Sequence, residues 1–162
     1  MARQLNYYWI PGGAHTSVAI RGYIDAVQEI MNYFSNSLEG MAMFVPCGTG
    51  TTQAGIIAGI NGLMPVYGVS VARNVARCKQ EISALLGINE TLINVLPSSI
   101  KYGAKDKAVD DMISKLVQSD GVFLDPIYNA KSFLAMIDFI KKNQDITKAI
   151  YINTGGYPNI FE

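Results

Sequence analysis

The chain has 162 residues, 49% of them hydrophobic and 16% charged, and its 13 basic and 13 acidic side chains cancel. This length and greasiness argue for one ordered domain over residues 1–162 and against disorder. The cancelled charge leaves no global field to draw nucleic acid or anionic lipid, and offers little protection against association through apolar surface, so a homo-oligomer or a complementing chain is expected. No apolar run approaches the roughly 20 residues of a membrane span, and Met1–Asn6 lacks a signal-peptide core, so no membrane contact and a cytoplasmic protein are expected.

In chain order, Tyr7-Tyr8-Trp9-Ile10 is a short apolar run stopped by Pro11-Gly12-Gly13. Ile20, Ile24, Val27, Ile30, Met31 and Phe34 then recur at three- and four-residue spacing, predicting a helix over 17–34. A turn at 36–40 leads into a buried strand over 41–46, and 48–52 breaks it with glycine and threonine. An Ala- and Gly-rich helix over 52–61, a strand over 65–71 and a helix over 73–86 stopped by Gly87 follow. Residues 88–104 show little pattern and read mostly as loop. Helical period returns over 105–118, a very short apolar run at 121–124 ends in Asp125-Pro126, and a helix over 127–142 precedes a last strand over 149–152. The alternation of strand-like and helical periods predicts an α/β fold: an open, mostly parallel sheet with flanking helices in three layers. Cys47 and Cys78 fall in apolar sequence and form no metal spacing with the single His15, so both are expected buried and reduced, with no metal site.

The most informative stretch is Phe44-Val45-Pro46-Cys47-Gly48-Thr49-Gly50-Thr51-Thr52-Gln53-Ala54-Gly55, an apolar strand, a glycine-hydroxyl loop and a helix start. Glycines allow close backbone approach, and the helix N-terminus adds unpaired N–H groups and a positive dipole end. Hydroxyls of Thr49, Thr51 and Thr52 add donors, so the loop is a candidate phosphate cradle. An ordinary threonine-capped turn is the alternative. The loop has neither the Gly-Lys-Ser/Thr of a Walker loop nor the Gly-x-Gly-x-x-Gly dinucleotide spacing, which argues against a nucleotide-binding domain.

Residues 48–55 resemble the phosphate-binding loop of fold type II (tryptophan-synthase-like) pyridoxal-phosphate enzymes, in the form typical of the D-cysteine desulfhydrase and aminocyclopropane-carboxylate deaminase branch. Three further segments resemble that branch in the same order: Ile10-Pro11-Gly12-Gly13 through Arg21-Gly22-Tyr23, the box Asp120-Gly121-Val122-Phe123-Leu124-Asp125-Pro126-Ile127-Tyr128-Asn129-Ala130-Lys131, and Ile152-Asn153-Thr154-Gly155-Gly156-Tyr157-Pro158. The resemblance implies that the chain corresponds to part of the large, cofactor-binding domain. It implies that Gly48, Thr49, Gly50, Thr51 and Thr52 hold the phosphate of pyridoxal 5'-phosphate. It also implies that Tyr128 is an active-site tyrosine and that Asn129 faces the pyridine nitrogen with Thr154 nearby. Departures from the pattern are Asn153 for histidine, Ala14 and Ala130 for glycine, and His15 for serine or threonine.

In the resembled branch the Schiff-base lysine lies in a Gly-Gly-Asn-Lys-type motif, which is absent from this sequence. Lys131 matches a structural lysine of the Tyr-x-Gly-Lys box instead. The expectation is therefore an incomplete deaminase or desulfhydrase, acting on a small amino acid only with a lysine-bearing half and holding its cofactor non-covalently at best. The alternative is a non-catalytic module that binds a phosphorylated ligand or serves oligomerisation.

Overall fold

The computed structural model describes residues 7–34 and 37–156. The first six residues, Asn36 of the 36–40 turn, and Tyr157 and Pro158 of the terminal motif lie outside the described residues. Four parallel strands form one open sheet in the order β3-β2-β1-β4: β1 (Met41–Cys47), β2 (Val66–Ser70), β3 (Asn94–Pro97) and β4 (Lys148–Tyr151). Every residue of β1 is buried, as a central strand covered on both faces must be.

Alternation along β1 divides the core. Met41, Met43 and Val45 pack with Val27 and Met31 of α1 (Ser17–Tyr33) and Ile56 and Ile60 of α2 (Thr51–Ile60). Cys47 continues this face toward Cys78 and Ile82 of α3 (Val75–Leu86). Ala42 and Phe44 point the other way, onto Met136 and Phe133 of α5 (Asn129–Ile140). Behind α5, Val109 of α4 (Lys107–Asp120) closes a smaller cluster with Leu124 and Ala130. The three-layer α/β architecture expected from the hydrophobic periods is the one observed.

The small residues of α2 let it lie unusually close to α1. A β-carbon on Gly55 would sit 2.5 Å from Tyr23 Cβ, and one on Gly59 would sit 2.8 Å from Val27 Cβ. These glycines are four residues apart and so share one helix face. Gln53, fully buried, lies over Gly68 of β2 and donates through Nε2 to the Asn94 carbonyl at 2.7 Å, tying α2 to β3.

Two expectations need correction. The stretch 88–104, expected to be mostly loop, contains a 3-10 turn (Glu90–Leu92) and β3. This strand lies at the sheet edge and buries only Val95, so four residues carry almost no periodic signal. The very short apolar run 121–124 belongs to no regular element: Val122 and Phe123 are exposed and only Leu124 is buried. Finally, α5 begins at Asn129, not Ile127, because the Asp125 carboxylate accepts from the backbone N–H groups of Ile127, Tyr128 and Asn129. Tyr7–Ile10 belongs to no regular element, and all four side chains are exposed.

Cys47 and Cys78 are free and buried, as expected. A hydrogen bond between the thiols draws Cys78 down to about 7 and, together with burial, pushes Cys47 up. Reaction also requires access, and neither sulfur has it. A bulky aromatic disulfide reagent is therefore expected to label neither thiol in the native chain and both in denaturant; rapid native labelling would contradict this packing. Among the described residues, no helix is long and apolar enough to cross a membrane.

Candidate functional site

From β1 the chain proceeds outward to β2 and β3, then returns to place β4 on the other side of β1. Strand order therefore reverses at β1, and the loops after β1 and β4 open side by side at the C-terminal edge, where open α/β sheets bind ligands. A cavity of ≈ 520 Å³ lies there, lined by the whole 48–52 loop with Tyr128 and Thr154. Seven of the eight sequence-derived site residues thus meet in one place, although they come from three separate stretches of chain.

The loop is shaped by contacts a side chain would destroy. Gly50, the N-cap of α2, has φ +84, and a β-carbon there would stand 2.7 Å from Ile82 Cγ1. No side chain caps α2. Its first-turn N–H groups therefore lack a side-chain partner, the first-turn residues Thr51, Thr52 and Gln53 line the cavity, and the helix dipole adds a partial positive charge. Thr49 and Thr51 hydroxyls lie 3.2 Å apart, and Thr51 donates to the Gly13 carbonyl at 3.2 Å. The donor set and space suit a phosphate monoester.

Tyr128 stands over this loop: a β-carbon on Gly48 would lie 3.7 Å from its ring. Its hydroxyl donates to that of Tyr102 at 3.3 Å, and the two rings meet edge to face with centroids 5.6 Å apart. Tyr102 escaped the sequence analysis because it sits in the stretch dismissed as loop. The hydrogen bond with Tyr102, then burial, pushes the Tyr128 phenol up to about 12. Tyr128 therefore keeps its proton at neutral pH. Because its folded value is raised, the stabilisation it contributes is present below about 10 and lost as pH rises toward 12. The ultraviolet difference titration of Tyr128→Phe against the parent should miss one phenol with a midpoint near 12; a missing phenol at 10 would contradict the pairing.

Asn129 is the exception to the expected site. Its side chain is buried behind the cavity wall, with Nδ2 donating to Asp125 Oδ2 at 2.6 Å and to the Gly155 carbonyl at 2.8 Å. Oδ1 accepts from the Thr154 N–H and the Tyr151 hydroxyl, both at 3.2 Å. Both amide donors and the carbonyl are thus engaged by the protein, leaving nothing to offer a ring nitrogen. In this arrangement Asn129 joins α5 to the 152–156 loop and so places Thr154 at the cavity.

Lys131 also turns inward. It is 2% exposed, and Nζ donates to the Lys101 and Ala104 carbonyls, each at 2.8 Å. Burial pulls it below the ordinary lysine value, with Asp106 and Asp125 pushing the other way. It anchors the loop carrying Tyr102 and contributes nothing to the cavity wall. His15, from the 3-10 turn preceding α1, reaches the back of the cradle, with Nδ1 at 3.3 Å from Thr51 Oγ1 and Nε2 at 3.0 Å from Glu81 Oε2. Among the described residues, no three His, Cys, Asp or Glu side chains gather as metal ligands do.

The profile of the family described as "Pyridoxal-phosphate dependent enzyme" matches residues 1–154. The chain is similar to D-cysteine desulfhydrases of Klebsiella pneumoniae (strain 342), at 27% identity, and Salmonella paratyphi B, at 30%, in each case over 95% of this chain and 52% of the relative. The crystal structure of a protein described as an ACC deaminase homologue superposes with a TM-score of 0.77 at 29% identity, over 93% of this chain and 49% of that one. The chain spans about half the length of the curated relatives it matches.

Proposed function

Because the chain belongs to the pyridoxal-phosphate dependent enzyme family, we propose that the 48–52 cradle binds the phosphate of pyridoxal 5'-phosphate, and that the site acts on a small amino acid in deaminase or desulfhydrase fashion once a lysine-bearing segment completes it. The observation carrying this reading is the uncapped start of α2 opening into a cavity shared with Tyr128 and Thr154. Each hydrogen bond to a charged acceptor contributes roughly 1.5–3 kcal/mol, so a few N–H and hydroxyl donors suffice without a lysine in the loop. When bound, the cofactor supplies an electron sink for charge developing at the α-carbon of an amino acid. The chain's own residues bind and orient: Gly48 and Gly50 give close backbone approach, Thr49 and Thr52 donate through their hydroxyls, Thr51, whose hydroxyl is given to the Gly13 carbonyl, offers its backbone N–H, and Tyr128, paired to Tyr102, holds a proton at the cavity rim. The buried, unbridged cysteines suit a reducing compartment, and we assign the protein to the cytoplasm.

A second reading, a non-catalytic phosphate-binding or oligomerisation module, draws on one observation: no lysine lines the cavity among the described residues. Two measurements separate the readings. The chain with pyridoxal phosphate should show bound-cofactor absorbance that borohydride does not fix to any lysine. Adding a separately expressed lysine-bearing half from a relative should then create a reducible linkage and release of ammonia or sulfide from a small amino acid. Cofactor binding with no turnover by the reconstituted pair would favour the module; no cofactor binding in either arrangement would overturn the enzyme reading.

A further inference from the structure

The phosphate cradle contains no basic side chain of its own, yet a charged cluster stands directly behind it. Glu81 of α3 takes Arg73 at 3.4 Å and Arg77 on Oε1, and His15 at 3.0 Å on Oε2. Two arginines against one carboxylate leave this cluster one positive charge before the imidazole is counted. From Nδ1, His15 reaches Thr51 Oγ1, which in turn meets Thr49 Oγ1 and the Gly13 carbonyl. This chain of contacts joins the cluster to the wall of the cavity.

The hydrogens in the chain can be counted. The Gly13 carbonyl only accepts, so the single hydroxyl hydrogen of Thr51 is directed to it. Thr51 Oγ1 must then accept from its other neighbours, which requires a hydrogen on His15 Nδ1. The Glu81 carboxylate likewise only accepts, which requires a hydrogen on Nε2. With the Thr51 hydrogen kept on the Gly13 carbonyl, a neutral imidazole has one ring hydrogen and cannot donate to both Thr51 and Glu81; an imidazolium donates to both. The charged groups joined to the ring are Glu81 of α3 and, through Glu81, Arg73 and Arg77. The dipole of α2 opposes a cation at this place with about half a charge, whereas Glu81 supplies a full one at 3.0 Å.

We propose that His15 is a positioning residue of the phosphate cradle: held as an imidazolium between Glu81 and Thr51, it fixes Thr51 Oγ1 as an acceptor, frees the Thr49 hydroxyl hydrogen for a phosphate oxygen, and supplies the charge the loop lacks. With His15 donating to Thr51, the Thr49 hydroxyl can turn into the cavity without stranding its neighbour. His15 does not line the cavity, so its effect passes through Thr51 and through the field. This inference rests on the phosphate-binding reading of the cradle, though not on the identity of the phosphorylated ligand.

His15 is the only histidine in the sequence, so its ring signals need no assignment. In the uniformly 15N-labelled chain near pH 7, with saturating inorganic phosphate as probe, two-bond 1H–15N correlations should show both ring nitrogens protonated. By phosphorus NMR titration, His15→Ala should weaken inorganic phosphate roughly 10- to 100-fold, and Glu81→Gln should weaken it as well. A hydrogen-free Nδ1 in the phosphate-loaded parent would overturn the proposal without any variant, as would unchanged affinity in His15→Ala. His15-dependent phosphate binding in a chain that ignores pyridoxal phosphate would support the proposal and sink the cofactor assignment alone. Failure of the parent to bind any phosphate would sink both.

Discussion

Replacing Asp125 with alanine is expected to lower the unfolding free energy by about 3–5 kcal/mol in urea denaturation, a large fraction of a domain's total. The carboxylate is fully buried and accepts four hydrogen bonds: from the N–H groups of Ile127 at 3.0 Å, Tyr128 at 2.7 Å and Asn129 at 3.0 Å, and from Asn129 Nδ2 at 2.6 Å. Alanine would strand buried donors at the start of α5, each with its full desolvation penalty. Asparagine should recover part of the loss, because its carbonyl oxygen still accepts while its NH2 meets donors. Gly156 packs against the same carboxylate, with the position of a β-carbon 2.9 Å from Asp125 Cγ. Loss of Asp125 should therefore also loosen the loop that presents Thr154. A destabilisation below about 1 kcal/mol would contradict this account of the corner.

Gly50→Val is expected to abolish binding of phosphorylated ligands, with at least a 100-fold loss of affinity, and to destabilise the chain by roughly 2–5 kcal/mol. Two effects act together. A β-branched residue at φ +84 is strained whatever the surroundings, and its β-carbon would stand 2.7 Å from Ile82 Cγ1. Relief requires moving either α3 or the start of α2, and the second movement re-aims the N–H groups of the cradle. Gly22→Ala is the control. Gly22 lies in α1 with nothing within 4 Å of a β-carbon, so alanine should be neutral or stabilise by about 0.5–1 kcal/mol. Near-parental ligand affinity in Gly50→Val would contradict the cradle geometry.

Much of this site was legible in the sequence because its chemistry is local. Gly48–Thr52 is a contiguous strand-loop-helix signal, all five residues line one cavity, and the role we propose for them rests on residue types that free the backbone and supply donors. The hydrophobic periods of α1, α3 and α5 were readable because each packs one stripe on the core: Ile20, Val27 and Met31; Cys78 and Ile82; Phe133, Met136, Ile137 and Ile140. What escaped is tertiary. Asp125 looked like a residue preceding a proline, and its capping of α5 appears only when the corner is folded. Asn129 was placed toward the cofactor because a box motif conveys spacing but not side-chain partners. The four groups that consume its amide come from Asp125, Tyr151, Thr154 and Gly155. Tyr102 gains meaning only from Lys131, which holds the 101–104 loop against α5 from about 30 residues away. His15 could be seen as an oddity of the turn, but its link to Glu81 spans three elements.

The central claim is that this chain holds a phosphate monoester at the 48–52 cradle and that the ester belongs to pyridoxal. Equilibrium dialysis of the intact chain against pyridoxal 5'-phosphate and against unphosphorylated pyridoxal tests it directly. Binding of the phosphate ester at least about 100-fold tighter than pyridoxal, and lost in Gly50→Val, is the predicted result. Equal affinity for the two compounds, or none for either, would contradict it.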